Sequence, residues 1–149
     1  MTSVCFERGV EIAAPSERVR DELSDPRRFL GLQPFLVEIE EQPPAGGART
    51  FAATERVPLL GPLAIPSRLR VELRPDAARG RVAFATRAPL GVRLRGAFAL
   101  SEVAGRTRVV ESVELACPRW LRGFVVRRAI RAQETLLANL KQRLEAGPR

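Results

Sequence analysis

The sequence predicts an α+β fold in which an antiparallel sheet of short strands packs against one long C-terminal helix. Two patterns carry this prediction. In residues 118–146, Val126, Ile130, Gln133, Leu137, Leu140 and Leu144 recur at spacings of four and three, which puts all six on one helical face. Ala129 and Leu136 widen that stripe, and Arg127, Arg128, Arg131, Glu134 and Lys141 are assigned to the opposite side. Upstream, apolar and polar residues alternate over short runs separated by Pro- and Gly-containing turns, the signature of half-buried strands. A length of 149 residues suits one hydrophobic core, so the chain is read as a single domain, 1–149.

The elements follow in order. Val4, Phe6, Val10 and Ile12 share one parity of a first strand over residues 3–12, with Arg8 as an intruder. Residues 15–24 read as a short helix with Pro15 in its first turn and Val19 and Leu23 on its buried side. Asp25-Pro26 starts a second short helix, Asp25 as cap and Pro26 at the first helical position, and Gly31 ends it. From residue 35 the pattern is a meander of six strands with turns at 43–47, 60–62, 74–76, 88–91 and 104–106. Successive hairpins give an antiparallel sheet, and its apolar face needs a cover that only the terminal helix, opened by Pro118, is long enough to supply.

Composition narrows the functional classes. The net charge of +8 suggests nucleic acid or an anionic surface, but the basic residues are scattered arginines, Lys141 being the only lysine. There is no Tyr and a single Trp, so no basic-aromatic stacking platform exists and nucleic-acid binding is not expected. No stretch is long and apolar enough to span a membrane, and charge comes too early for a signal peptide, so a cytoplasmic protein is expected. With no His and two Cys, neither a metal nor another cofactor is expected. Cys5 and Cys117 should lie on paired strands but on opposite faces, which argues against a disulfide.

The segment GVEIAAPSERVRDELSDPRRFL, with its Ile-x-Ala-Pro-x-Glu-x-Val stretch from Ile12 to Val19 followed by Asp25-Pro26, resembles the helix-grip superfamily. That superfamily (SRPBCC, START-like) includes START lipid-transfer domains, birch-pollen-allergen proteins and polyketide cyclases/dehydratases. The resemblance covers essentially the whole chain and departs at Arg20, where members often carry Trp. It implies a seven-stranded curved sheet gripping the long helix, two short helices after the first strand, and an apolar ligand cavity between sheet and helix.

The residues support a cavity independently. Ser67, Thr86 and Gly96 fall at inward positions that a tightly filled core would give to larger apolar side chains, leaving room beside Leu69, Phe84, Leu94 and Phe98. Val126 and Ile130 are expected to face it from the helix. Two polar misfits are the candidate ligand contacts. Glu111 lies between Val109 and Val113 on an apolar parity, where a carboxylate is costly unless neutral or paired. Gln133 is the polar member of the helical stripe. The alternatives are a structural ion pair between Glu111 and an arginine or a bulge that turns Glu111 outward, and a local hydrogen bond for Gln133. Catalysis is hard to build without His or Tyr, so Glu111 is the one candidate acid-base group.

In a meander alternate turns share one end, so the turns at 58–63 and 88–91 should flank the start of the long helix. Leu59, Leu60, Leu90, Trp120 and Arg122 are expected at an apolar entrance edged by arginines, where it meets an anionic membrane or an acidic, lipid-like ligand, its own neighbouring loops, or a second copy in a homodimer. The expected function is to bind a hydrophobic small molecule or lipid as a carrier or sensor. The alternatives are a cyclase/dehydratase-like enzyme using Glu111, and an interaction protein with a vestigial cavity.

Overall fold

Turn chemistry decides where the strands stop. In the computed structural model, which describes residues 1–33, 35–60 and 62–146 (with the side chains of 45 and 58–60 left out), reversals fall where glycine relieves a positive φ. Gly46, Gly47, Gly80 and Gly105 all have φ between 58° and 80°. The strands are β1 (Thr2–Ile12), β2 (Leu36–Ala45), β3 (Ala48–Leu60), β4 (Leu63–Asp76), β5 (Arg81–Arg87), β6 (Arg93–Val103) and β7 (Arg106–Cys117). Among the described residues they form one antiparallel sheet in the order β1-β7-β6-β5-β4-β3-β2. Helix α1 (Ser16–Ser24) follows β1, and helix α2 (Arg122–Ala146) ends the described chain. This is the helix-grip architecture.

The second short helix starts at Asp25-Pro26 as expected but is shorter, and the start of the long helix is shifted. The segment after α1 is a single 3-10 turn, Pro26–Phe29, capped by the Asp25 carboxylate accepting from the Arg27 N–H at 3.1 Å. Only one turn forms because Leu30 returns to extended backbone and Gly31 takes a φ of 88°. The long helix begins later than Pro118. A 3-10 turn over Arg119–Leu121 precedes α2, and Pro118 itself is extended, with a ψ of 144°.

Helix α2 packs along β1 and β7 rather than over the middle of the sheet. Leu136, Leu137, Leu140 and Leu144 are buried with Ile12, Phe51, Leu73, Val82, Phe98 and Val109. Helix α1 and the 26–32 segment close the far end of the sheet, where Val19, Leu23 and Leu32 are fully buried. Glu22 fastens that end by accepting from Arg28 at 2.7 Å and Arg143 at 3.0 Å, and Asn139 donates to the Leu32 carbonyl at 2.9 Å. Cys5 is exposed, Cys117 is buried, and both are free. Along β4, exposure rises from 1% at Leu73 to 45% at Ile65, so the sheet is sealed at one end and open at the other.

Candidate functional site

A cavity of about 530 Å³ lies between α2 and the inner face of the sheet, with walls that are mostly apolar. That volume is in the range of small-molecule sites. Of the inward residues named from sequence, Ser67, Leu69, Phe84, Thr86, Leu94, Phe98, Glu111 and Gln133 all line it.

Gly96, Val126 and Ile130 do not line the cavity, and each has a physical reason. The space above Gly96 is occupied: a Cβ there would lie 2.8 Å from the Phe84 ring and would collide with the Ser112 carbonyl oxygen. The glycine admits a neighbouring ring instead of leaving a gap. Val126 packs into a smaller cluster with Val92, Leu115 and Cys117, and Ile130 is half-buried outside the cavity wall. At 100° per residue, the wall residues Val125, Ala129, Ala132 and Leu136 centre roughly a quarter-turn from the line through Val126, Ile130, Leu137 and Leu144, on the side of the stripe that Ala129 and Leu136 widen. Leu137, Leu140 and Leu144 of the stripe grip the sheet, while Gln133 and the side widened by Ala129 and Leu136 look into the cavity.

The same rotation corrects Arg128. Instead of facing solvent, it lines the cavity, with its guanidinium carbon 4.7 Å from the centre of the Phe35 ring. Its Nη2 lies 3.8 Å from Glu55 Oε1, an ion-pair separation too long for a hydrogen bond. Glu55 lines the cavity as well, and burial pushes its carboxyl up while the Arg128 charge pulls it down. Sequence reasoning missed both residues. Glu55 carried a usable signal, because it shares the parity of Phe51 and Ala53 on β3.

Glu111 sits on β7, in register with Arg8 of β1 and Phe98 of β6. The ion pair that proximity to Arg8 invites does not form: Arg8 turns outward to Glu134, 3.4 Å away. Glu111 is left 7% exposed, with one carboxyl oxygen, Oε1, buried and unpartnered. Burial pushes its pKa up to about 8, with the Gln133 amide pulling the other way. Gln133 Nε2 donates to the Glu111 main-chain carbonyl at 2.9 Å, which leaves its own Oε1 without a partner. The local hydrogen bond expected of Gln133 is therefore present, yet its amide oxygen stays buried and unsatisfied.

The cavity opens between the start of β4, the 3-10 turn Pro89–Gly91 and the first turn of α2. Ile65, Leu90 and Phe124 line it there while being 45%, 65% and 44% exposed. Trp120 and Arg122 stand exposed beside this mouth but outside the cavity wall, and Leu121 folds into the smaller cluster. Leu59 and Leu60, expected at the same entrance, lie outside the described side chains.

Residues 3–145 match the model of a family described as polyketide cyclase / dehydrase and lipid transport. The chain belongs to that family. Solved structures share its fold at low identity. The protein TTHA0849 from Thermus thermophilus is 24% identical, with a TM-score of 0.74, over 97% of this chain and 98% of its own. The Zhui aromatase/cyclase of a Streptomyces species is 18% identical, with a TM-score of 0.76 and the same coverage of 97% and 98%. A START superfamily protein from Mycobacterium smegmatis is 14% identical, with a TM-score of 0.77, covering 95% of this chain and 97% of that one. No curated protein matches the sequence. At these identities the structures establish the shared fold, while the family spans both enzymes and carriers.

The raised pKa makes stability depend on pH in a definite direction. Between the ordinary value of 4.5 and about 8, the folded state holds a proton on Glu111 that the unfolded state has lost, so stability falls as pH rises through that window. Glu111→Gln removes the titration. Thermal melts should show the variant gaining on the wild type from about pH 5 upward, by up to about 5 kcal/mol above pH 8, with the gap closing at pH 4. A constant gap across that range would mean that Glu111 is not buried as a neutral acid.

Proposed function

We propose that this protein binds a hydrophobic small molecule or lipid in the cavity, acting as a carrier or sensor. One observation carries the reading: an apolar-walled space of about 530 Å³ is lined by Glu111 and Gln133, each with a buried, unpartnered polar atom. An apolar body would fill the space, and a hydroxyl or carbonyl on it would meet the carboxyl and the amide. At neutral pH the Glu111 carboxyl keeps its proton and can donate to that group. A vestigial cavity would be plugged by the protein's own side chains, so an open space favours a working one.

The same residue favours a second reading, a cyclase/dehydratase-like enzyme. An acid with a pKa of about 8 can give or take a proton near neutral pH. The two readings separate at Glu111→Gln: a carrier loses affinity modestly, whereas an acid-base enzyme loses nearly all turnover. Occupancy itself is tested at Ala132, a small residue on the cavity wall. Native mass spectrometry of the purified wild type should reveal a non-covalently bound organic molecule. Ala132→Trp should fill the space and abolish that adduct while the variant still melts cooperatively. An adduct that survives the substitution would place the ligand elsewhere.

The mouth supports peripheral contact with an anionic membrane. Leu63, Ile65, Leu90, Trp120 and Phe124 project there, Trp120 at 75% exposure, and Arg56, Arg87, Arg93, Arg119 and Arg122 are exposed nearby. Each arginine near an anionic leaflet contributes about 1 kcal/mol. No helix among the described residues is long and apolar enough to cross a bilayer. We place the contact on the cytoplasmic side, where the free thiols of Cys5 and Cys117 stay reduced. Trp120 is the only tryptophan, so its emission reports on the mouth directly. Phosphatidylserine vesicles should shift that emission to the blue and pellet the protein, whereas phosphatidylcholine vesicles should do neither. A doubled mass in solution with no response to vesicles would assign the mouth to a homodimer instead.

A further inference from the structure

Among the described residues three buried side-chain polar atoms have no hydrogen-bond partner: Glu111 Oε1, Gln133 Oε1 and Arg128 Nη2. All three belong to residues that line the one cavity. Unpaired buried polar atoms are costly and uncommon, and their convergence on one space points to a ligand that completes them. The first two define the polar end already described. Arg128 is different in sign and in place.

It lies five residues before Gln133 on α2, which puts it roughly 7–8 Å nearer the mouth along the helix axis. Its charge is only partly compensated. The Phe35 ring face lies on one side, and the Glu55 carboxylate stays at 3.8 Å, leaving Nη2 without an acceptor. Ser67, in register with Glu55 on the neighbouring strand, adds a hydroxyl to the same stretch of wall. A planar guanidinium with a free N–H beside an apolar space suits the carboxylate group, which can accept two parallel hydrogen bonds from it.

We propose that Arg128, with Glu55 and Ser67 beside it, forms an anion-accepting subsite, and that the ligand is an amphipathic carboxylic acid. Its carboxylate lies at Arg128, its apolar body fills the cavity, and a hydroxyl or carbonyl deeper in the cavity meets Glu111 and Gln133. This rests on the cavity being a ligand site and adds the chemical class of the ligand.

Three probes with a common apolar body test it: 6-hydroxy-2-naphthoic acid, its methyl ester, and 2-naphthol, each titrated by fluorescence into the full-length protein. The wild type should bind the acid roughly tenfold or more tighter than the ester. Arg128→Gln should bring the acid down to the ester's affinity while leaving 2-naphthol within about twofold. Glu55→Gln, which removes the competing carboxylate, should strengthen binding of the acid and not of the ester. If the wild type binds acid and ester equally while 2-naphthol still binds, the subsite is overturned and the cavity reading stands. If none of the three binds, both fall.

Discussion

One helix cannot cover seven strands, and the rest of the structure follows from that mismatch. A helix with its side chains is about 10–12 Å across, while neighbouring strands are about 4.8 Å apart, so a single helix covers little more than two of them. Helix α2 spends its coverage on β1 and β7. The inner face of β3 to β6 is left to curl around it, closed at one end by α1 and open at the other. A hollow remains because no further element comes to fill it. Its wall residues from α2 include Ala129 and Ala132, side chains too small to reach across the gap.

Into that hollow the sequence places polar groups without giving them partners. Glu111 has an arginine directly opposite it in the sheet, yet Arg8 turns outward to solvent and Glu134. Its carboxyl therefore answers burial by keeping a proton instead of forming an ion pair. Gln133 is anchored by one half of its amide to the Glu111 main chain, which leaves the other half buried without a partner. The arrangement costs folding stability, and a ligand that satisfies these atoms returns it as binding free energy.

The architecture was legible in the sequence because it depends on periodicity and turn chemistry, both local. The alternation of β4 and the stripe ending in Leu137, Leu140 and Leu144 each name a buried face without tertiary information. Glu111 and Gln133 were legible for the same reason, as polar residues interrupting an apolar period. Glu55 interrupts a period too, after Phe51 and Ala53, and could have been found in the same way. Arg128 could not, because it is a charged residue well outside the apolar stripe, and periodicity does not say how far around the helix a curled sheet extends its cavity. Gly96 shows the converse. A missing side chain in a sequence does not say whether a neighbour, here Phe84, takes its place.

A neutral acid inside a hollow is the claim on which the functional reading turns, and it can be observed at a single atom. Carbon-13 NMR of the Glu111 carboxyl, followed through a pH titration of the ligand-free protein, should give a midpoint near 8. A midpoint near the ordinary 4.5 would mean that the carboxyl is solvated or paired, and would contradict the account.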